Sequence, residues 1–337
     1  MKNIWIVFLF LIFSFSGMGQ SSLIENLVFE GAGIRGIAYG GVLRVLEEKD
    51  MSQSIQKVGG TSAGAITALL FSLGYSSVEI ESIISKTKFQ KFNDGQFFFI
   101  GGISRTKKRF GWYRGRKFSK WIGALIQAKT GNSEITFEEF SNHGYKDVYF
   151  TATCLNQQRL MILSHETYPQ MKLKDAVRIS MSIPLYYQAV FVDSIGHTFN
   201  KQNKENNLDV MVDGGIIGNF PIQMFDTIIQ GIDGRSSRIP NPHTLGIRID
   251  SEEQIKADVR SRQLIPQHIE GFKDYMTAFY IMVIENLNRN FLTEDDWKRT
   301  VSISSAGISP KVKRLTEEQK KRLVESGRIG MEHWVRH

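Results

Sequence analysis

Short apolar segments alternate with amphipathic segments along most of the chain. Helical patterns follow several of the apolar segments, for example at Ala63–Leu73 and Val78–Thr87. A strand followed by a helix, repeated along a chain, is typical of an α/β protein with a largely parallel sheet under helices. The segments that we predict as strands are Leu27–Phe29, Gln56–Val58, Val148–Cys154, Val210–Val212 and Leu245–Ile249.

The domain organisation follows from composition and loop positions. The chain of 337 residues is 42 % hydrophobic and 23 % charged, which is typical of globular proteins. Polar loops at 195–208 and 233–243 do not separate segments that could each form a core. We therefore predict one domain over residues 24–310, followed by a helical tail over residues 311–337.

The first residues have a different character. Lys2 precedes an apolar run, Ile4–Phe15, and the small residues Gly17 and Gly19 follow it. This order is typical of a cleaved secretory signal peptide, which we predict over residues 1–19. The alternative is an uncleaved signal anchor, although the run is shorter than the roughly 20 apolar residues that a membrane span needs. The prediction implies export to the periplasm, the outer membrane or the medium.

A glycine-rich loop, Gly31–Gly36, follows the first predicted strand and precedes an amphipathic helical pattern. Such a G-x-G-x-x-G loop is the fingerprint of dinucleotide binding, in which backbone N–H groups hold a pyrophosphate. The same amides could hold the oxyanion of an acyl-transfer reaction instead. A dinucleotide site needs an acidic residue at the end of the second strand, and this chain has Gly60–Gly64 there. The oxyanion interpretation is therefore favoured, and its candidate residues are Gly31, Ala32, Gly33, Ile34, Arg35 and Gly36.

The second predicted strand ends in a G-x-S-x-G motif centred on Ser62. A nucleophile elbow needs small residues two positions before and after the serine, because the strand and the following helix approach closely. Gly60 and Gly64 satisfy that requirement, and Thr61 and Ala63 complete the turn. Neither glycine motif is specific alone, but the two together in one strand–turn–helix unit indicate an activated serine.

A serine nucleophile needs a base, and Asp213 is the candidate. It follows the apolar run 210–212 and precedes Gly214 and Gly215. Because functional residues of parallel α/β sheets gather at the carboxyl ends of strands, we expect Asp213 near Ser62. An ordinary Asp-Gly-Gly turn is the alternative interpretation. As a base, Asp213 would need partial burial to raise its pKa.

A histidine base would require a triad instead of a dyad. His243 and His268 follow any plausible acid in chain order, although neither lies in a typical triad context. Both remain alternatives to Asp213 as the base.

Gly31–Gly36, Gly60–Gly64 and Asp213–Gly215, in this order, resemble the patatin-like phospholipase family. The resemblance implies a three-layer α/β fold with helices on both faces of a mostly parallel sheet. It also implies hydrolysis of lipid acyl esters, including phospholipids, through an acyl-enzyme, with Ser62 as nucleophile and Asp213 as base. The similarity extends to residues 135–140, 177–184, 218–221 and 315–331.

Two positions qualify the resemblance. Ala32 stands where the family usually has a third glycine, and alanine does not freely adopt a positive φ. Arg35 matches a commonly basic position, where it could hold the loop, bind a phosphate head group or form a structural salt bridge.

Two alternatives for the activity also remain: an inactive lipid-binding or secretion-associated protein of the same fold, and an esterase for soluble esters.

The excess of positive charge is concentrated in one region. The chain has 42 Lys and Arg against 34 Asp and Glu, and residues 95–133 contain nine basic residues and no acidic ones. Basic and aromatic side chains together suit an anionic membrane, so we predict docking through segment 97–121. Single-stranded nucleic acid is not expected as a partner of an exported protein, and a solvated face over a packed helix is the other alternative. The aromatic residues of the segment are Phe97, Phe98, Phe99, Phe110, Trp112, Tyr113, Phe118 and Trp121.

Three further features narrow the chemistry. Cys154, the only cysteine, lies in a predicted strand and is expected to be buried and unreactive. Residues 272–287 form an apolar stretch, for which a buried core helix, an acyl-chain tunnel and a lid are the interpretations. The spacing of His, Cys, Asp and Glu matches no metal-ligand pattern, so we expect no metal and no cofactor, and no obligate protein partner is evident.

Overall fold

The five apolar runs predicted as strands all lie in one nine-stranded sheet of the computed structural model, which describes residues 23–95, 98–202, 207–231, 234–283, 289, 291–309 and 314–336. The predicted signal peptide lies outside the described residues. The strands are β1 (Asn26–Phe29), β2 (Lys57–Gly60), β3 (Gly111–Tyr113), β4 (Asp147–Cys154), β5 (Arg159–Leu163), β6 (Leu185–Tyr187), β7 (Val190–Val192), β8 (Thr198–Phe199), β9 (Asp209–Asp213), β10 (Thr227–Gln230), β11 (Ser236–Ile239), β12 (Thr244–Asp250) and β13 (Thr300–Ser304).

Local sequence explains how several helices begin. Ser76 and Thr136 each accept a hydrogen bond from the N–H group three residues later, and the glutamate at that later position bonds back to the cap. The helices are α1 (Tyr39–Glu48), α2 (Ala63–Ser72), α3 (Ser77–Lys86), α4 (Phe98–Arg109), α5 (Arg116–Thr130), α6 (Phe137–Asn142), α7 (Leu173–Ser180), α8 (Gly215–Gly218), α9 (Glu252–Arg260), α10 (Phe272–Ile281), α11 (Glu294–Lys298) and α12 (Glu317–Arg336).

The sheet is parallel over one half and antiparallel over the other. Its strand order is β13-β12-β1-β2-β4-β9-β7-β8, with β5 also paired to β4. The first five strands in that order run parallel, whereas β9, β7, β8 and β5 pair antiparallel with their neighbours. The predicted α/β fold with a mostly parallel sheet is confirmed, and the strand direction reverses beyond β4.

β2 and β9 lie end to end along the same edge of β4. β5 pairs with residues 150–154 and occupies the opposite edge, so the other two partners share one edge. Gly60 at the end of β2 pairs with Phe150, and Asp213 at the end of β9 pairs with Ala152. Because the two strands run in opposite directions, their carboxyl ends face each other at this point.

Segments on both faces cover the sheet. A Cβ atom on Gly60 would lie 2.5 Å from the backbone of Gly64 in α2, whereas one on Gly59 would lie 2.0 Å from Met224. Successive residues of a strand point to opposite faces, so α2 and the 3₁₀ helix Ile222–Phe225 lie on opposite sides of β2. At β2 the sheet therefore has a helical segment on each face.

The C-terminal helix α12 crosses α1 at two glycines. A Cβ atom on Gly41 would lie 1.9 Å from the carbonyl oxygen of Val324, and one on Gly327 would lie 1.9 Å from that of Ala38. The two backbones therefore approach too closely for a side chain at either position. The helix adds to the layer that contains α1, and the domain boundary at residue 311 stays a prediction.

Two predictions about apolar segments have opposite outcomes. Cys154 is fully buried in β4, and burial raises the pKa of its thiol, as expected of an unreactive cysteine. The interpretation of residues 272–287 as a buried core helix is wrong for the described part of α10, because Phe272 is 80 % and Phe279 50 % exposed. Residues 284–287 lie outside the described part of the chain. None of the described helices is both long and apolar enough to cross a bilayer.

Candidate active site

The glycine-rich loop leaves β1 and enters a 3₁₀ helix, Gly33–Ala38, that leads into α1. Gly31 is held by Asn219: its N–H donates to the Asn219 carbonyl oxygen at 2.9 Å, and Asn219 Nδ2 donates to its carbonyl oxygen at 3.0 Å. A Cβ atom at this position would lie 2.2 Å from Asn219 Oδ1. A larger residue at position 31 would therefore require the Asn219 side chain or the loop to shift.

Three amides of this loop have no acceptor in the described part of the chain, namely those of Ala32, Gly33 and Ile34. In contrast, the N–H of Arg35 donates to the Ala32 carbonyl oxygen at 3.2 Å. These three groups stand at the N-terminus of the 3₁₀ helix, where the first amides lack partners within the helix. They are thus available to an anion, whereas the amides of Gly31 and Arg35 are engaged.

Alanine at position 32 fits the loop geometry. Ala32 has φ −127°, and the positive φ of the loop, 54°, falls on Gly33. The position that departs from the family pattern therefore does not require glycine, because alanine adopts a negative φ freely.

Ser62 stands in a strained turn between β2 and α2. Its φ is 53° and its ψ is −116°, a conformation that is rare for residues with a side chain. A Cβ atom on Gly60 would lie 2.5 Å from Gly64, and one on Gly64 would lie 2.5 Å from the carbonyl oxygen of Phe29. The glycines of the G-x-S-x-G motif are thus required by close backbone approach.

Polar side chains from other segments hold this turn. The N–H of Ser62 donates to Ser180 Oγ at 3.0 Å. Thr61 Oγ1 lies 2.6 Å from Thr151 Oγ1 and donates to the Gly218 carbonyl oxygen at 2.7 Å. Sequence reasoning assigned no role to Ser180 and Gly218, although both lie in stretches that resemble the family.

Asp213 is buried at the end of β9, with 6 % of its surface exposed. Gly215 donates its N–H to Asp213 Oδ1 at 2.8 Å, and the N–H of Asp213 donates to the Ser182 carbonyl oxygen at 3.0 Å. Burial raises the pKa of Asp213 to about 7, against the smaller lowering effects of the Gly215 N–H and of a hydrogen bond from Ser62. The carboxyl group therefore titrates near neutral pH.

The side chains of Ser62 and Asp213 are neighbours. The Ser62 hydroxyl lies 3.6 Å from Met181 Sδ, which is a weak acceptor, and it lowers the pKa of the Asp213 carboxyl group against the larger effect of burial. The structural cause of this proximity differs from the one expected from the sequence. The rule for parallel strands does not apply to β9, which is antiparallel to β4; the two residues meet because the carboxyl ends of β2 and β9 face each other.

The two histidines considered as alternative bases lie elsewhere. His243 precedes β12, at the amino end of the parallel strands, and its Nδ1 lies 2.8 Å from the carbonyl oxygen of Leu23. Ser62 follows the carboxyl end of β2 and therefore lies at the opposite end of the parallel strands. The His268 side chain is 85 % exposed. Among the described residues that line the cavity beside Ser62 there is no histidine.

The cavity beside Ser62 is narrow and apolar. Its volume is about 60 Å³, and aliphatic and aromatic side chains form most of its wall. Ile34, Ile66, Ile84, Phe89, Met181 and Tyr186 are among the lining residues. The surroundings of Ser62 therefore suit an apolar group of a substrate. No group of His, Cys, Asp and Glu within the described part of the chain is arranged to hold a metal ion.

Arg35 is buried beside the loop. Its Nε donates to the Ala32 carbonyl oxygen at 3.4 Å, and its charge, after those of Arg248 and Arg289, lowers the pKa of Asp250 against the effect of burial. Of the roles considered for this residue, holding the loop from within a buried ionic cluster agrees best with these contacts.

Basic and aromatic residues of segment 97–121 separate into different environments. Phe118 is fully buried and Trp121 packs on the core, in an aromatic cluster with Phe92. The exposed basic residues of α5 within this segment are Arg116, Lys117 and Lys120. Phe110, by contrast, is 41 % exposed. Over α5 the segment is therefore a solvated basic face on a packed helix; Phe97 and the side chains of Phe98 and Phe99 are outside the described part.

Comparisons with known proteins place the chain in a family. The model of a family described as patatin-like phospholipase matches residues 27–226. The chain is 28 % identical over 315 residues to the uncharacterized protein YqhO of Bacillus subtilis, covering 89 % of this chain and 94 % of the relative. It is 25 % identical over 201 residues to the probable lipid hydrolase 463L of Invertebrate iridescent virus 6, covering 59 % of this chain and 62 % of the viral protein.

A solved structure shares the fold. VipD from Legionella pneumophila matches with a TM-score of 0.55 and 15 % sequence identity, covering 93 % of this chain and 67 % of that protein. At this identity the match concerns the architecture alone.

Proposed function

The chain belongs to the patatin-like phospholipase family and is a lipid ester hydrolase, and on that premise we propose that Ser62 and Asp213 form its catalytic dyad. The proposal depends mainly on one observation: a serine in a strained turn lies beside a buried carboxyl group, and burial raises the pKa of that group to about 7. Such a pKa lets the carboxylate accept a proton near neutral pH and return it later.

In the proposed reaction, Ser62 Oγ attacks the carbonyl carbon of the ester while Asp213 accepts the hydroxyl proton. The tetrahedral intermediate collapses, the C–O bond to the leaving alcohol breaks, and Asp213 gives its proton to that alcohol. Water then attacks the acyl-enzyme and transfers a proton to Asp213. Collapse of the second intermediate releases the fatty acid, and Ser62 regains its proton from Asp213.

The oxyanion hole that we propose uses only some of the amides of the glycine-rich loop. The candidate donors are the amides of Ala32, Gly33 and Ile34, because those of Gly31 and Arg35 already have acceptors. Donors at the N-terminus of a helical segment also place a positive partial charge near the developing oxyanion.

The proposed substrate is a lipid ester, with phospholipid as the leading class, met at a membrane surface. The cavity beside Ser62 has an apolar wall, which favours the acyl chain as the part of the substrate that it binds. The viral relative is described as a probable lipid hydrolase, which favours the same class. We further propose export of the enzyme, on the basis of the apolar run Ile4–Phe15 and the small residues that follow it.

Labelling with a fluorophosphonate tests the dyad. Intact mass is measured for wild type, Ser62→Ala and Asp213→Ala after exposure to the probe. We expect a single adduct on wild type, none on Ser62→Ala, and labelling slowed by several orders of magnitude in Asp213→Ala. Folded wild-type protein that forms no adduct would favour the inactive lipid-binding alternative. A rate that does not increase when the substrate passes from monomers to micelles would favour an esterase for soluble esters.

A further inference from the structure

Two exposed apolar residues, Phe110 and Leu185, lie next to each other near the candidate active site. Gly111, directly after Phe110, pairs with Leu185 where β3 and β6 form a short parallel ladder. Phe110 is 41 % exposed and Leu185 is 68 % exposed. One side of the Phe110 ring packs on the buried Phe191, with 5.9 Å between ring centroids. This end of the ladder therefore presents two apolar side chains to solvent, and the ring of Phe110 is supported from within.

Both residues have a backbone conformation that favours glycine. The φ angles of Phe110 and Leu185 are 60° and 66°. Bulky side chains are rare in this left-handed region and persist where the surrounding structure imposes it. A leucine that is both strained and exposed contributes little to folding, so its side chain is more consistent with an external contact.

Hydrogen bonds at the far end of the ladder join its two strands to each other and to a helix. The buried Arg178 donates from Nη2 to the carbonyl oxygens of Arg114 and Gln188, at 3.1 Å each, and thereby joins the ends of β3 and β6. The N–H of Gln188 donates to the Tyr113 carbonyl oxygen at 2.8 Å. The two strands are thus fixed to each other and to α7, which carries Arg178.

The apolar pair lies beside the cavity that contains Ser62. Ile183 and Tyr186, on either side of Leu185 in the chain, line that cavity. Tyr186 also packs edge-on against Tyr113 of β3, with 5.0 Å between ring centroids. A surface bound at Leu185 would therefore meet the protein next to the cavity wall.

Positive charge adjoins the same place. Lys107 and Lys108 are exposed at the end of α4, and Arg109, directly before Phe110, is partly exposed. Residues 95–133 contain no acidic side chain that would neutralise them. An apolar anchor next to cations matches the boundary between head groups and acyl chains in a bilayer that contains anionic lipids.

We propose that Phe110, Leu185, Lys107 and Lys108 form an interfacial patch that seats the cavity beside Ser62 on an anionic membrane. Leu185 and the free side of Phe110 enter the acyl-chain boundary, and the two lysines contact lipid phosphates. The proposal rests on the proposed function in one respect, that the substrate is a lipid ester in a membrane.

A second exposed apolar surface lacks these properties. Phe272, Tyr275 and Phe279 form a stripe on α10, with the acidic residues Glu270 and Asp274 beside it. None of its described residues lines the cavity beside Ser62. Neither charge nor position therefore connects this stripe with an anionic membrane at the site.

Vesicle binding tests the interfacial patch. All variants carry Ser62→Ala, so that binding is measured without hydrolysis, on vesicles of phosphatidylcholine alone and mixed with phosphatidylglycerol. We expect Leu185→Gly to lower the partition coefficient about tenfold, as for the loss of one buried leucine side chain. Lys107→Gln with Lys108→Gln should weaken binding to the mixed vesicles alone. Ile195, which lies outside the patch and is 53 % exposed, provides the control: Ile195→Gly should bind vesicles as the parent protein does.

Thermal unfolding separates this role from a structural one. Glycine relieves the positive φ at position 185, so Leu185→Gly should unfold at the same temperature as the parent or a higher one. The proposal is overturned if Leu185→Gly binds vesicles normally, or if it binds weakly because it unfolds earlier. Loss of a dimer with unchanged vesicle binding would identify a protein interface and also overturn it. Absence of ester hydrolysis by wild type would defeat the proposed function without affecting this measurement.

Discussion

Asn219 and Gly31 are joined by two hydrogen bonds, one in each direction. Gly31 donates its N–H to the Asn219 carbonyl oxygen at 2.9 Å, and Asn219 Nδ2 donates to the Gly31 carbonyl oxygen at 3.0 Å. Asn219 directly follows α8, which itself follows Asp213 and Gly214. The contact therefore connects the loop of candidate oxyanion donors with the segment of the candidate base, and it should set their relative position.

Substitutions at two neighbouring loop positions should lower turnover to very different extents. Gly31→Ala would place a Cβ atom 2.2 Å from Asn219 Oδ1 and displace the loop. We expect kcat to fall at least 10²-fold, comparable to the loss of an oxyanion donor. Ala32→Gly is the matched control, because φ −127° suits either residue, and it should retain kcat within about threefold. Steady-state kinetics on a monomeric ester would measure both, and equal losses in the two variants would contradict the loop geometry.

The rate should depend on pH through the base. Asp213 accepts a proton only when ionised, and its pKa is raised to about 7 by burial. We therefore expect kcat to rise about tenfold per pH unit below that value and to level off above it. A pH–rate profile of the labelling reaction, with Ser62→Ala as the blank, would measure this pKa. An inflection near pH 4 would mean that Asp213 is solvated during the reaction or is not the base.

Ionisation of the Asp213 carboxyl group should lower the free energy of unfolding. The pKa of Asp213 is about 7 in the folded chain against an ordinary value of 3.8, so the folded state loses stability as pH rises from 3.8 to about 7. The full difference corresponds to at most roughly 4 kcal/mol at ~1.4 kcal/mol per pH unit. Asp213→Asn keeps an acceptor for the Gly215 N–H but cannot ionise.

Urea unfolding of wild type and Asp213→Asn at pH 5 and pH 8 measures this cost. We expect the stability of Asp213→Asn relative to wild type to be greater at pH 8 than at pH 5, by up to roughly 3 kcal/mol. An equal difference at both pH values would show that the pKa of Asp213 is not raised in the folded protein.

The crossing of α12 over α1 should tolerate no side chain at Gly327. A Cβ atom there would lie 1.9 Å from the Ala38 carbonyl oxygen, so Gly327→Ala should destabilise the protein by about 2 kcal/mol or more. Gly330→Ala, one turn later in α12, would meet Ile303 Cγ1 at 3.3 Å and gain up to about 1 kcal/mol of helix propensity. Thermal unfolding compares the two, and similar midpoints would show that the helices are not in close contact.

The candidate residues could be found from sequence because their requirements are local. A nucleophile elbow brings strand and helix backbones within 2.5 Å of a glycine Cβ position, and that close approach is visible as G-x-S-x-G. Apolar runs likewise identified β1, β2, β4, β9 and β12, since buried strands need them whatever their direction.

The supporting residues could not be found in this way. Ser180 and Asn219 act on residues far away in the chain, and serine and asparagine at those positions form no pattern of their own. The availability of loop amides was equally hidden, because it depends on which acceptors the tertiary structure brings near each N–H group.

By itself the sequence determined five strands of the main sheet, the glycine turns, and the identities of Ser62 and Asp213 as candidates, since these follow from hydrophobic period and backbone sterics within a few residues. The tertiary structure alone decided the direction of β9, the burial that raises the pKa of Asp213, and the inward orientation of Phe118 beneath a basic surface. The physical reason is the same in each case. Strand direction, desolvation and side-chain exposure depend on neighbours that are distant in the chain, and a local pattern does not specify them.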